Sequence, residues 1–229
     1  MTTIGNRLQD ILATIQLAQA SSPFAQQVKL VAVSKAQPAS SIREAFKAGQ
    51  TIFGENYLQE ALDKQAQLAD LNIEWHFIGP IQSNKTQPVS QHFSWVHSVD
   101  RLKIAQRLND ARPADLPPLQ ICLQVNVSQE QSKSGVSPED LVPLAAAVQN
   151  LPRLTLRGLM AIPAPTQDTN LQIAQFKRVR QCYDALLDKG FALDTLSIGM
   201  SDDYCLAIAQ GATFVRIGSA LFGARPAKT

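Results

Sequence analysis

Leu30-Val31-Ala32-Val33-Ser34-Lys35 is the stretch on which the fold turns. Five residues of strand character run into a single lysine, and Ala36-Gln37-Pro38 then breaks the strand. In a parallel β/α protein the carboxyl end of a strand is where ligands bind. Lys35 would then stand at the mouth of a site with its stem in apolar surroundings. Desolvation disfavours the ammonium form, so a lysine placed there serves as an amine nucleophile toward a carbonyl. A surface lysine at a strand end is the other reading of the same six residues, and only the rest of the chain separates the two.

On the amino-terminal side, Ile4, Leu8, Ile11, Leu12 and Ile15 recur at helical spacing. They predict an amphipathic helix over about 3–20, ended by Ser21-Ser22-Pro23. On the carboxyl-terminal side, strand and helix patterns alternate. Further strands are expected over 51–54, 73–78, 94–99, 119–127, 156–162, 195–200 and 213–217. Helical patterns separate them, one reaching from Glu55 to Asp70. Ser41 with Glu44 reads as a capping box, Asp100 as an N-cap, and Ser137-Pro138 as an N-cap followed by an N1 proline. Eight short apolar strands with helices between them predict a single (β/α)8 TIM barrel, an α/β domain spanning 1–229 with an extra N-terminal helix. The 229 residues are close to the ~250 typical of that fold, and eight repeats in so short a chain favour closure over a doubly wound open sheet.

With 45% hydrophobic and 17% charged residues, the chain can bury one full core. A formal net charge of +2 with no long basic run implies no nucleic-acid partner. Cys122, Cys182 and Cys205 form no metal spacing and read as free thiols in a reducing compartment. Arg7 and Asp10 interrupt the first ten residues, and no apolar run approaches the ~18 residues of a membrane span. A cytoplasmic protein without a membrane partner is expected.

In a barrel the site collects at strand carboxyl ends. There fall Lys35, Glu55-Asn56, His76 with Gly79, Asn126, Met160, Gly199-Met200-Ser201, and Arg216 with Gly218-Ser219. Loops after the seventh and eighth strands commonly bind phosphate in this fold. Gly199 and Gly218 let the backbone approach a ligand, and Ser201 and Ser219 offer hydroxyls. Arg216, inside Phe214-Val215-Arg216-Ile217, either points outward to solvent or is a fixed cation beside the ligand. A lysine amine, a phosphate cradle and an arginine together suggest a phosphorylated aldehyde or ketone held as a Schiff base. Pyridoxal phosphate fits, and so does a phosphosugar aldolase substrate. His76 reads as a ring contact, an acid/base group or a hydrogen-bonded core residue. Glu55 and Glu60 read as a solvated face or ion-pair partners. Asn84-Lys85 and Ser132-Lys133-Ser134-Gly135, in loops near the mouth, read as groups that neutralise a phosphate or shape a partner surface, or as solvated loop residues.

Seven blocks of the chain, in order, resemble the pyridoxal phosphate homeostasis protein family. They are Ala32–Lys35, Phe53–Glu60, Trp75–Lys85, Ser132–Gly135, Gly158–Met160, Ser197–Asp203 and Val215–Gly223. Pro163 departs mildly from the pattern, standing where glycine is common. The resemblance implies a fold-type III barrel like the N-terminal domain of alanine racemase, with pyridoxal 5′-phosphate as cofactor and Lys35 as its Schiff-base lysine. It implies Arg216 at the pyridine nitrogen, and Ser201, Gly218 and Ser219 on the phosphate. Asn56, Met200 and His76 would line the ring. It further implies a role in cofactor supply and amino/keto acid balance without evident catalysis. The expected protein is a monomer whose recipients are pyridoxal phosphate-dependent apoenzymes. A small racemase or decarboxylase is the enzyme alternative. Racemases of this fold draw their second base from another domain, and this chain reads as ending just past its eighth strand.

Overall fold

The computed structural model describes residues 3–128 and 134–223. The strands are β1 (Lys29–Val33), β2 (Ile52–Glu55), β3 (Glu74–Phe77), β4 (Trp95–Val99), β5 (Leu119–Gln124), β6 (Leu154–Met160), β7 (Thr195–Ser197) and β8 (Phe214–Ile217). Each pairs in parallel with the next, and β8 closes on β1 through Leu30 opposite Val215 and Val31 opposite Arg216. The result is the expected (β/α)8 barrel.

The strands are shorter than the sequence suggests, because their last residues turn into the loops of the mouth. β7 stops at Ser197, two residues before Gly199, whose φ of +93° no strand accommodates. β1 stops at Val33, so Lys35 lies two residues beyond the strand.

Around the barrel run α1 (Ile4–Ala20), α2 (Ala39–Lys47), α3 (Leu58–Gln67), α4 (Thr86–His92), α5 (Leu102–Ala111), α6 (Leu141–Gln149), α7 (Thr169–Asp188), α8 (Tyr204–Ile208) and α9 (Ser219–Phe222). Helix α1 buries Ile4, Leu8, Ile11 and Ile15 and packs on α2, α8 and α9. It thus ties the first β/α unit to the last, beside the seam where the barrel closes.

Three expected caps are corrected. The helix expected to start at Ser41 begins at Ala39 after Pro38, and Glu44 Oε1 instead accepts from Ile4 N (3.1 Å), capping α1. The Asp100 carboxylate is taken up by Arg101 (2.7 Å), and α5 starts after Arg101 without a side-chain cap. Ser137 Oγ accepts from Asp140 N (3.2 Å) and caps the single turn that precedes α6. Glu55, expected to open a helix, is the last residue of β2.

Two apolar cores result. The larger lies between barrel and helices, with Phe53, Ile121, Leu159 and Val215 facing Ile42, Ile104, Val148 and Phe176. The smaller fills the barrel itself with Val31, Trp95, Cys122, Met160 and Phe214. Successive strand residues alternate between the two. The inward rows therefore read Lys29, Val31, Val33 on β1 and just beyond it Lys35, and Phe214, Arg216 on β8 and just beyond it Gly218.

Candidate functional site

Two residues above the inward strand positions, the rows open into a cavity of about 230 Å³ at the carboxyl end of the barrel. Lys35, Asn56, Met200, Ser201, Arg216, Gly218 and Ser219 line it, although they come from both ends of the sequence. Lys35 is half-buried there, with Val33 and Ile78 in the same wall. Met200 is 38% exposed and sits on the rim with Ile162. Ser201 and Ser219 bring their hydroxyl oxygens to 3.1 Å of each other, and Ala220 N approaches Ser201 Oγ at 3.4 Å. The single turn of α9 follows directly, with Leu221 N and Phe222 N donating back to Gly218 O (3.0 and 2.9 Å). A Cβ on Gly218 would stand 3.1 Å from Val33 O, so a side chain there would crowd β1. A Cβ on Gly199 would meet Ala207 Cβ at 2.6 Å.

Arg216 is 4% exposed and points inward. Its NH1 donates to Ser197 O (2.6 Å) and Ser197 Oγ (2.8 Å), and its NH2 to Ala161 O (2.9 Å). Burial pulls its pKa down to about 10, which leaves it cationic at neutral pH. Its Nε–H and the second NH2 hydrogen are spent on no acceptor among the described residues, so the cavity wall carries unused donors of fixed charge.

His76 is not in that wall; this corrects the expectation that it lines the ring. It lies inside the barrel one layer below, fully buried, stacked on Trp95 at 5.3 Å between centroids. The reason is alternation on β3: Ile78, two residues on, is the residue that reaches the cavity. His76 is instead one link of a hydrogen-bonded row. Glu74 Oε1 lies 2.7 Å from His76 Nε2, His76 Nδ1 lies 2.9 Å from His97 Nε2, and His97 Nδ1 lies 2.8 Å from Ser197 Oγ. With Glu74 ionised, His76 Nε2–H must donate to it, His76 Nδ1 must accept from His97 Nε2–H, and His97 Nδ1 must accept from the Ser197 hydroxyl. Ser197 Oγ in turn accepts from Arg216. Both imidazoles are thus neutral and carry hydrogen on Nε2. Burial holds both pKa values below the usual histidine value, His97 well below it, and the His76 hydrogen bond holds the Glu74 carboxyl below its own.

Beside Lys35 lies a second buried cluster, which the sequence reading missed. Lys64 Nζ, on α3, donates to Glu55 Oε1 (2.7 Å), Glu60 Oε1 (2.5 Å) and Ser34 O (2.7 Å). Ser34 Oγ donates to Glu55 Oε1 (2.6 Å), and Ala36 N donates to Glu60 Oε1 (2.6 Å). Glu55 is fully buried, so the solvated-face reading of it is overturned while the ion-pair reading stands. Burial pushes its carboxyl above the usual range, against the pull of Lys64.

A larger cavity of about 630 Å³ opens at the opposite end of the barrel, against Lys29, Trp95 and Phe214. Its arginines are already committed: Arg157 to Asp194 and the Trp95 face, Arg180 to Asp184 and the Phe24 face. It lies away from the lysine and the serines. Lys85 is exposed on a short 3₁₀ turn (Ser83–Lys85) outside the mouth cavity, and Lys133 with Ser132 lies outside the described residues. Among the described residues no cluster of His, Cys, Asp and Glu could hold a metal ion.

The family model of the alanine racemase N-terminal domain matches residues 7–226. The pyridoxal phosphate homeostasis protein of Pseudomonas aeruginosa is 62% identical over 226 residues, covering 98% of this chain and 97% of that protein. The structure of PipY from Synechococcus elongatus, solved with pyridoxal phosphate bound, superposes with a TM-score of 0.85 at 38% identity, covering 96% of this chain and all of PipY. Alanine racemase from Corynebacterium glutamicum shares the fold at 19% identity and a TM-score of 0.66, with 93% of this chain matching 61% of the racemase.

Proposed function

The chain belongs to the pyridoxal phosphate homeostasis proteins, and from that premise we propose that its mouth cavity holds pyridoxal 5′-phosphate as an imine on Lys35. Pyridoxal phosphate is the cofactor, and its homeostasis is the role. What supports the placement is one observation: a lysine, an inward arginine with unused donors, and a paired-serine loop converge on a single cavity. A further fit is the side-chain oxygen of Asn56, buried in that wall with no hydrogen-bond partner among the described residues.

The cofactor, when bound, supplies an aldehyde carbon, a phosphate and a pyridine nitrogen. The Lys35 amine would be the group that takes up the aldehyde. Gly218, Ser201 and Ser219 would hold the phosphate by hydrogen bonds to a charged group, each worth roughly 1.5–3 kcal/mol. Asn56 and Met200 would flank the ring. Arg216, staying charged, would face the ring nitrogen as a donor and keep it unprotonated, which would weaken the ring as an electron sink. The reading is a non-catalytic, monomeric carrier in the cytoplasm, acting in amino/keto acid balance and delivering cofactor to pyridoxal phosphate-dependent apoenzymes. No described helix is long and apolar enough to cross a membrane. The apolar rim of Ile162 and Met200, 43% and 38% exposed, supports delivery through an open mouth.

Borohydride reduction of the loaded protein should fix the cofactor on the peptide containing Lys35, and Lys35→Ala should lose the imine absorbance. Label on the Lys85 or Lys133 peptide refutes the assignment. An amino-acid racemisation rate thousands of times that of free cofactor, lost in Lys35→Ala, replaces the carrier reading with an enzyme.

A further inference from the structure

Lys35 sits between two peptide groups, and both are held by side chains of one helix. The carbonyl on its amino-terminal side, Ser34 O, accepts from Lys64 Nζ (2.7 Å) as well as from Gln37 N across the turn (3.0 Å). The amide on its carboxyl-terminal side, Ala36 N, donates to Glu60 Oε1. Glu60 and Lys64 are i,i+4 partners on α3 and are themselves ion-paired, so the two grips are one rigid unit. Glu55, fully buried at the end of β2, anchors that unit to the barrel through Lys64 and through Ser34 Oγ. The grip closes on a backbone that needs holding. Ala36 has φ +58°, the one non-glycine left-handed residue among those described. An alanine there is disfavoured relative to the right-handed region, and relaxing it would swing the Lys35 peptide plane and the direction in which its side chain leaves.

We propose that Glu60 and Lys64 are positioning residues that aim Lys35 into the cavity by clamping the peptide groups on either side of it. The inference rests on the reading of Lys35 as the imine lysine. A charge-assisted bond from Ala36 N to Glu60 fixes the left-handed turn, and the Lys64 ammonium fixes the preceding carbonyl. Aiming matters only for the covalent bond. Ser201 lies in the loop after β7, Ser219 opens α9 and Arg216 is on β8, so phosphate and ring recognition do not depend on the clamp.

The test uses the full chain with two ligands: pyridoxal 5′-phosphate, and pyridoxine 5′-phosphate, whose alcohol cannot form an imine. Glu60→Ala is the first variant, since the Glu60 side chain is 31% exposed and its loss leaves no fully buried cavity. Imine formation, read by absorbance, should weaken about ten-fold, equal to about 1.4 kcal/mol, while pyridoxine 5′-phosphate affinity stays unchanged. Ala36→Gly added to Glu60→Ala should restore most of the imine, because glycine adopts the left-handed turn without a tether. Equal weakening of both ligands, or a double variant no better than Glu60→Ala, overturns the clamp. Wild-type protein whose imine with pyridoxal 5′-phosphate forms on a lysine other than Lys35 overturns the functional reading, and the clamp falls with it.

Discussion

Replacing Lys64 by methionine keeps the stem and removes only the ammonium. The ammonium is 6% exposed as a side chain and makes three hydrogen bonds, to Ser34 O, Glu55 and Glu60. Without it Glu55, at 0% exposure, becomes a buried carboxylate with Ser34 Oγ as its remaining donor. Breaking a buried pair by removing one partner costs about 3–5 kcal/mol. For a chain of this size 1 kcal/mol moves the midpoint by roughly 2–4 °C, so Lys64→Met should melt about 10 °C below wild type at neutral pH.

The pH dependence carries the sign. The Glu55 pKa is already raised in the folded state, so its protonation adds stability that is present below the ordinary carboxyl value and lost as pH rises through the folded value. Lys64 is what holds that value down, and in Lys64→Met it climbs further. The deficit against wild type should therefore be larger at about pH 8 than at about pH 5. Adding Glu55→Gln should recover part of it, since the charge left behind is then gone. Thermal melts of the three proteins at both pH values decide the matter. A single variant that melts with wild type at pH 8, or a deficit independent of pH, refutes the buried-charge account.

The remaining predictions concern the cavity and the row beneath it. Ser201→Asp places a carboxylate beside Ser219, whose hydroxyl lies 3.1 Å from that of Ser201, and should repel the phosphate, so cofactor retention after gel filtration should fall well below that of Ser201→Ala; full occupancy would put the phosphate elsewhere. Nitrogen-15 spectra should show His76 and His97 neutral with hydrogen on Nε2 at about pH 6, below the usual histidine value; a charged imidazole there contradicts the row. Because both are held neutral in the fold while unfolded histidine takes up a proton, their contribution to stability should be lost as pH falls below about 6.5, which opposes the Glu55 trend.

Periodicity made the barrel legible, because strand and helix alternation survives in any order of side chains that alternates burial. It did not fix the ends. Glu55 reads as a helix opener beside Asn56-Tyr57-Leu58, yet β2 needs it as its last residue so that its carboxylate can meet Lys64. Ser41 and Glu44 have capping-box spacing, but Glu44 caps a helix 40 residues away, a contact that spacing does not encode. In the cavity, Lys35, Arg216 and the Gly/Ser exits were legible because strand ends converge in any barrel. His76 was misplaced by one layer for a countable reason: two residues along a strand is one storey of the interior. His97 and Ser197 escaped notice because each looks ordinary alone. The available signal was their inward parity with His76 and Arg216. Lys64, the one lysine of α3, is legible only as an i,i+4 partner of Glu60; its contacts with Glu55 and Ser34 are set by packing.

The row from Glu74 to Ser197 has one further property. Every link takes its direction from the link before, so the four members store one bit between them. The carboxylate at the barrel floor, 45% exposed, writes that bit, and a hydroxyl against Arg216 reads it out. An amide at position 74 can donate as readily as accept. Glu74→Gln would erase the setting without touching the cavity, and the two histidines would show both tautomers where wild type shows one.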